Sequence, residues 1–261
     1  MSDSEAPVLV SREGAVGIAT LNRPTKFNCI SRELAAGLLD AVRQLEADKS
    51  VRVMLLKANG KHFCTGADLD QVKAARATRE GLKDWLGRGH EALYAMEASR
   101  LPVIGVVQGL ALAGGLELMM ACDVVFAGRA ARVGDQHAQY GLVPGWGGTQ
   151  RLPRLVGLRR ALDLMYSGAW LSPEQAMDWG LFNAVFEDGE LQAKAMAYAV
   201  QLAKRNPQAI ALMKSLSRQG LDGTLRTGVE AELEAVADGL RTANVEEGLA
   251  AFAERREPVF K

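Results

Sequence analysis

PVIGVVQGLALAGGLELMMACDVVFAG, residues 102–128, is the stretch that decides the fold. Pro102 opens VIGVV (103–107), a short β-branched run that reads as a buried strand. Gly114-Gly115 then begins a helix that runs to about Ala121, and Val124 to Phe126 forms another short buried strand. This is the most apolar part of the chain, yet Gln108, Glu117, Asp123 and four glycines interrupt residues 103–126, so it does not read as a membrane span. Strand, helix and strand in this order form a crossover unit, which implies parallel pairing.

The same alternation extends towards the N-terminus. AVGIATL (15–21) is a β-type run ending in the turn signal Asn22-Arg23-Pro24. Ser31 caps a helix whose Leu34, Leu38, Leu39, Val42 and Leu45 fall on one stripe. VRVMLL (51–56) is a further strand, followed by a polar loop, Asn59 to Asp70, and a charge-rich helical segment from Gln71 to Ser99. The character changes after that: residues 189–256 carry helical periodicity, with Leu225, Val229, Leu233, Val236 and Leu240 on one stripe. No linker or repeat separates the parts. The expectation is an α/β core over residues 1–190 and a helical C-terminal extension over 191–261 of the kind that packs on a neighbour.

Composition narrows the function. The chain has 261 residues, 48% of them hydrophobic, and its 31 basic residues balance 31 acidic ones. Such a chain can bury a sizeable core, and its zero net charge argues against bulk binding to nucleic acid or to an anionic membrane. Cys29, Cys64 and Cys122 form no CxxC pair, and MSDSEAPVLV has no apolar signal core; both features point to the reducing cytoplasm. No His, Cys, Asp or Glu set has metal-ligand spacing, so no metal is expected.

Two glycine loops carry the chemistry. FCTGADL (63–69) and ALAGGLEL (111–118) each lie between a strand and a helix. Free N–H groups at a helix start attract negative charge, and two such donors converging on one oxygen make an oxyanion hole. Taken singly, each loop reads as a plain strand-to-helix turn; together they point to the anion site. Glu117, three residues after Gly114, is either a partner of the helix dipole, worth roughly 0.3–1 kcal/mol, or a general base beside the hole. VGDQHAQYGLVPGWGGTQ (133–150) supplies His137, which is a structural histidine or an acid–base group near neutral pH.

In this order and spacing the motifs resemble the crotonase (enoyl-CoA hydratase/isomerase) superfamily across essentially the whole chain. The likeness runs from Asn22-Arg23-Pro24 and Asn28-Cys29-Ile30 through HFCTGADL (62–69), PVIGVVQGLALAGGLEL (102–118), ACDVVFA (121–127) and GLVPGWGGTQRLPRLVG (141–157) to EGLAAFAERREPVFK (247–261). It implies a spiral of repeated ββα units with a helical tail used in trimer contacts, as a homotrimer or a dimer of trimers. It also implies an acyl-CoA thioester substrate, with coenzyme A as part of the substrate and no separate cofactor. The N–H groups of Ala67 and Gly114 would hold the thioester oxygen. Thr65, Asp68 and Leu69 would line the adenine pocket, and Arg23 and Lys26 would meet the CoA phosphates. Gly145 would lie near the catalytic water, with Trp146 and Tyr140 walling the acyl pocket. Phe252 and Arg255 match tail positions that complete a neighbour's CoA site; Phe252 is also readable as a core residue. Leu82, Trp85, Leu86 and Leu93 are candidates for the acyl pocket.

One departure stands out. Where the family commonly shows Gly-x-Pro-Glu, this chain has Gly134-Asp135-Gln136-His137, so His137 takes the place of the second glutamate and the proline is missing. Hydration of a 2-enoyl thioester would then use Glu117 as base and His137 as acid, with Asp135 as a substitute acid or a partner that orients His137. A hydrolase or isomerase acting on another CoA thioester, and a non-catalytic acyl-CoA binder, are the alternatives. His62, beside the first loop, and His90 carry less weight.

Overall fold

A computed structural model describes residues 6–261; the first five residues of the acidic N-terminal stretch discussed above lie outside it. The chain runs β1 (Val8–Glu13), β2 (Val16–Leu21), α1 (Arg32–Ala47), β3 (Val53–Ala58), α2 (Leu69–Ala75), α3 (Arg79–Ala98), β4 (Val103–Val107), β5 (Leu110–Leu112), α4 (Gly114–Met120), β6 (Val124–Gly128) and β7 (Arg132–Gly134). It continues through α5 (Gly148–Val156), α6 (Leu158–Ser167), α7 (Pro173–Asp178), β8 (Ala184–Phe186), α8 (Leu191–Leu202), α9 (Pro207–Gly220), α10 (Leu225–Gly239) and α11 (Ala243–Glu254). The main sheet has the order β1-β2-β3-β4-β6-β8, and β5 pairs with β7 in a second, two-stranded sheet. Among the described residues the strands of both sheets pair in parallel except β1 with β2, as the crossover reading requires.

The central strands β2, β3 and β4 are buried on both faces, and alternation sorts their side chains. Ala19, Leu21, Met54, Leu56, Val103 and Val107 enter the larger core with α1, α3 and α4. Ile18, Val53, Leu55, Ile104 and Val106 point the other way, onto Leu191, Ala195 and Ala199 of α8. Ser31 caps α1, its hydroxyl accepting from Leu34 N at 3.1 Å.

Three local differences have physical causes. β1 lies outside the strands expected from the sequence because it is an edge strand whose apolar run, Val8 to Val10, is only three residues long and gives way to exposed Ser11, Arg12 and Glu13. The strand expected from Val51 starts at Val53: Val51 N bonds back to Asp48 O, which completes a turn, and Val51 O accepts from the Arg100 guanidinium. The helical segment 71–99 is divided, because Thr78 caps a new helix by accepting from Gly81 N at 3.0 Å.

α10 carries the expected apolar stripe, and Leu225, Val229, Leu233, Val236 and Leu240 are all exposed in the single chain. Among the described residues no helix is long and apolar enough to cross a membrane.

Gly115 marks the closest approach in the core: a Cβ there would fall on the carbonyl oxygen of Cys64, a backbone atom that cannot move aside. Gly115→Ala is therefore expected to lower the unfolding free energy by about 1–3 kcal/mol, the usual range for overpacking. An unchanged urea midpoint would show that the two loops have room to separate.

Candidate active site

The site begins where the two glycine loops meet. Cys64 and Ala111 form a parallel bridge, with Cys64 N donating to Leu110 O at 3.1 Å and Leu112 N to Cys64 O at 3.0 Å. The loops thus leave their strands side by side. Ala113 then takes φ +51°, ψ −117°, a conformation that L-residues rarely adopt, and the turn starts α4 at Gly114. Gly66, at φ +103°, lies against Gly114, and a Cβ on it would sit 3.3 Å from Gly114 N.

Ile30 clamps the other loop. Its N–H donates to Gly66 O at 2.7 Å and its carbonyl accepts from Asp68 N at 2.9 Å, so the N–H of Ala67 between them is left over. As the first residue of α4, Gly114 also has no helical acceptor for its N–H. Among the described residues neither N–H is donated to another group of the fold. The structure therefore brings the two sequence-predicted donors to adjoining loops.

Glu117 is wholly buried. Its Oε1 accepts from Trp146 N and Gly148 N, both at 2.7 Å, so the carboxylate is bound to the loop before α5 and not to its own helix start. Oε2 has no hydrogen-bond partner and lies 3.9 Å from Nε2 of His137. The imidazole is held in turn by Asp135, whose Oδ1 meets Nδ1 at 3.0 Å and the His137 backbone N at 3.1 Å. The contact that two residues' separation leaves open in the sequence is thus direct.

The charges follow from this packing. Burial raises the Glu117 pKa above its ordinary 4.5, against the pull of the two N–H donors and His137. Burial works against the charged form of His137, but the hydrogen bond and charge of Asp135, with Glu117 beyond, prevail and raise its pKa above the ordinary 6.5.

Arg23, Lys26, Thr65, Asp68 and Leu69, five of the residues expected to meet CoA, lie on two segments that touch. Arg23 pairs with Asp68 at 3.0 Å and donates to Cys29 O at 2.7 Å, so these two candidates hold each other. Thr65 N donates to Phe27 O beside the turn that carries Lys26, and Leu69 stands exposed at the start of α2. Phe252 and Arg255 are elsewhere, exposed at the end of α11, with no hydrogen bond or ion pair to these loops. At 87% exposure Phe252 is not a core residue. Gly145 immediately precedes the Trp146 N–H that holds Glu117. The Trp146 ring is buried against Trp85, with ring centroids 4.8 Å apart, and Nε1 donates to Leu86 O. Trp85 and Leu93 belong to the core, Leu82 and Leu86 are half-buried, and Tyr140 is exposed.

Asn28 is the residue whose part the sequence conceals. Wholly buried at φ +54°, it accepts from Arg23 N and donates to Asn59 O and His62 O, fixing the first glycine loop to the N-terminal turn. The available signal was an Asn, a residue tolerant of the left-handed region, just after a turn. His62 shapes the same loop, its Nδ1 accepting from Leu110 N at 3.2 Å. His90 is half-buried and stacked on Tyr94. Among the described residues no three His, Cys, Asp or Glu side chains are grouped to hold a metal ion.

The family model for enoyl-CoA hydratase/isomerase matches residues 11–261. A short-chain-enoyl-CoA hydratase of Clostridium acetobutylicum is 33% identical over 251 residues, which are 96% of this chain and 95% of that protein. A crystal structure of enoyl-CoA hydratase from Bacillus anthracis superposes with a TM-score of 0.93 at 33% identity, covering 98% of this chain and 99% of the other. An enoyl-CoA hydratase structure from Mycobacterium smegmatis gives 0.93 at 30% identity, with 98% and 99% covered.

Cys64 lies inside the first glycine loop, but burial pushes its thiol up to about 12, and burial raises Cys122 too. Neither is a thiolate at neutral pH. Iodoacetamide at pH 8 is expected to label the native chain at Cys29 at most, read by peptide mass. Fast labelling of Cys64 would show that this loop opens.

Proposed function

The chain belongs to the enoyl-CoA hydratase/isomerase family, and from that premise we propose that it adds water to the 2,3 double bond of a 2-enoyl-CoA thioester. The observation that carries this reading is the facing pair of Glu117 Oε2 and His137 Nε2, 3.9 Å apart, on the helix that starts beside two free N–H groups and the loop opposite it. In the proposed reaction the Glu117 carboxylate takes a proton from water as the water oxygen bonds to Cβ. The π electrons move to the thioester oxygen, and Ala67 and Gly114 donate to the resulting enolate. Each such donor is worth about 2.7–4 kcal/mol in comparable sites. His137, as imidazolium, gives its Nε2 proton to Cα. Glu117 then returns its proton to His137, and 3-hydroxyacyl-CoA leaves. CoA arrives within the substrate, and the reaction calls for no cofactor.

Arg23, Lys26, Thr65, Asp68 and Leu69 take the CoA side in this reading, Arg23 leaving Asp68 or bridging it to the ligand. Gly145 sits behind the water. The exposed apolar stripe of α10, with Leu249 and Phe252 on α11, supports assembly into a homotrimer or a dimer of trimers, in which Phe252 and Arg255 reach a neighbour's site. One observation favours a second reading: an imidazole held by a carboxylate is also an arrangement for a general base, which would direct water at the thioester carbonyl and release free CoA.

Crotonyl-CoA is expected to lose its enoyl absorbance and yield 3-hydroxybutyryl-CoA. Free CoA as the product would replace hydration by hydrolysis, and no turnover with tight binding across chain lengths would leave only a binder. Glu117→Gln is expected to lower kcat by about 10²–10⁴ with CoA binding kept; unchanged turnover removes Glu117 from the mechanism. The pH profile of kcat/KM is expected to be a bell. It falls on the acid side as Glu117 takes up a proton at a pH above 4.5, and on the alkaline side as His137 loses one above 6.5.

A further inference from the structure

We propose that Asp135 is a positioning residue that dictates which nitrogen of His137 faces the substrate and sets a carboxylate against the far side of that ring; its consequence for catalysis rests on the hydration reading above. The argument starts from acceptor chemistry. An ionised carboxylate only accepts hydrogen bonds, so the 3.0 Å contact between Asp135 Oδ1 and Nδ1 requires the proton on Nδ1 in both charge states of the ring. The nitrogen that gains and loses a proton is therefore Nε2, the one aimed at Glu117 Oε2. The same Oδ1 accepts from the His137 backbone N at 3.1 Å, which fixes the residue's main chain and its ring from one oxygen.

Charge adds to geometry. Asp135 is 1% exposed, and its Oδ2 is buried without a hydrogen-bond partner. A buried carboxylate with half its acceptors unused is costly unless a positive charge lies beside it. The titratable groups that face the imidazole are two: Asp135 from the loop after β7, and Glu117 from α4. Burial of the ring disfavours imidazolium, and these two carboxylates outweigh it. In the proposed reaction Glu117 serves as the base and passes through its protonated form in each turnover, whereas Asp135 takes no part in the proton transfers. An asparagine in place of Asp135 would keep an oxygen for Nδ1 and the backbone N but would remove the carboxylate's charge.

The test is an NMR titration of the substrate-free protein labelled with ¹⁵N, with the His137 resonances assigned by comparison with His137→Gln. In the parent chain the neutral ring is expected to carry its proton on Nδ1. Asp135→Asn is expected to lower the His137 midpoint by about one pH unit or more and to move the alkaline limb of kcat/KM down by the same amount, with KM changed less than about threefold. An Nε2–H tautomer in the parent overturns the proposal without any variant, so a misfolded Asp135→Asn does not shield it. A loss of kcat in Asp135→Asn with an unmoved midpoint and an unmoved limb also overturns it, since a structural role alone would give that. If the parent forms no 3-hydroxyacyl-CoA while His137 titrates as stated, the hydration reading fails and the assignment of Asp135 to the ring stands.

Discussion

The burial of Glu117 is the constraint on which the rest of the structure depends. A carboxylate withdrawn from water costs several kcal/mol unless donors replace its hydration. Two main-chain N–H groups, from Trp146 and Gly148, do so at one oxygen. This requires the 145–148 segment to pass within hydrogen-bond reach of α4, and glycines on either side of Trp146 permit it. The other oxygen is left facing His137, so the interaction that secures Glu117 also aims its remaining acceptor.

A second layer of charge holds that segment in place. The Arg151 guanidinium donates to Trp146 O at 2.7 Å and to both oxygens of Glu97 at 2.6 and 2.7 Å. Arg218 of α9 bridges Glu97 and Asp123, and Lys214 of the same helix meets Asp123 and the carbonyls of Met96 and Leu101. The network is only partly buried, and removal of one member still leaves its partners uncompensated in a region of limited solvent access. α9 is in this way tied by charge to the layer beneath the site, although its sequence reads only as an amphipathic helix.

The proposed function rests on where the parallel strands end. The candidate site lies beyond the carboxyl ends of β3, β5 and β7, in the loops that follow them, the position where open α/β sheets leave helix N-termini and unpaired N–H groups. The Cys64–Ala111 bridge and its two main-chain hydrogen bonds hold the two loops together, and the missing side chain of Gly115 permits their close approach. A hole formed by backbone donors has little freedom to relax, which is the property that electrostatic stabilisation of an enolate demands.

The alternation of strands and helices, the parallel sheet and the two glycine loops were legible in the sequence, because period, β-branching and glycine placement are local properties. The apolar stripe of α10 was legible for the same reason, although its exposure in the single chain was not, and the ordered motifs carried the family. Tertiary structure alone decided the partners of each charge. That Glu117 bonds to a loop 29 and 31 residues away, and that Arg23 and Asp68 hold each other across 45 residues, depends on which strand ends the sheet makes neighbours. Asn28 likewise reads as an ordinary turn residue until the fold encloses it. Even Asp135 and His137, two residues apart, are paired only because the turn after β7 brings the carboxylate under the ring. Local pattern specifies conformation; hydrogen-bond partners are specified by packing, which no local pattern contains.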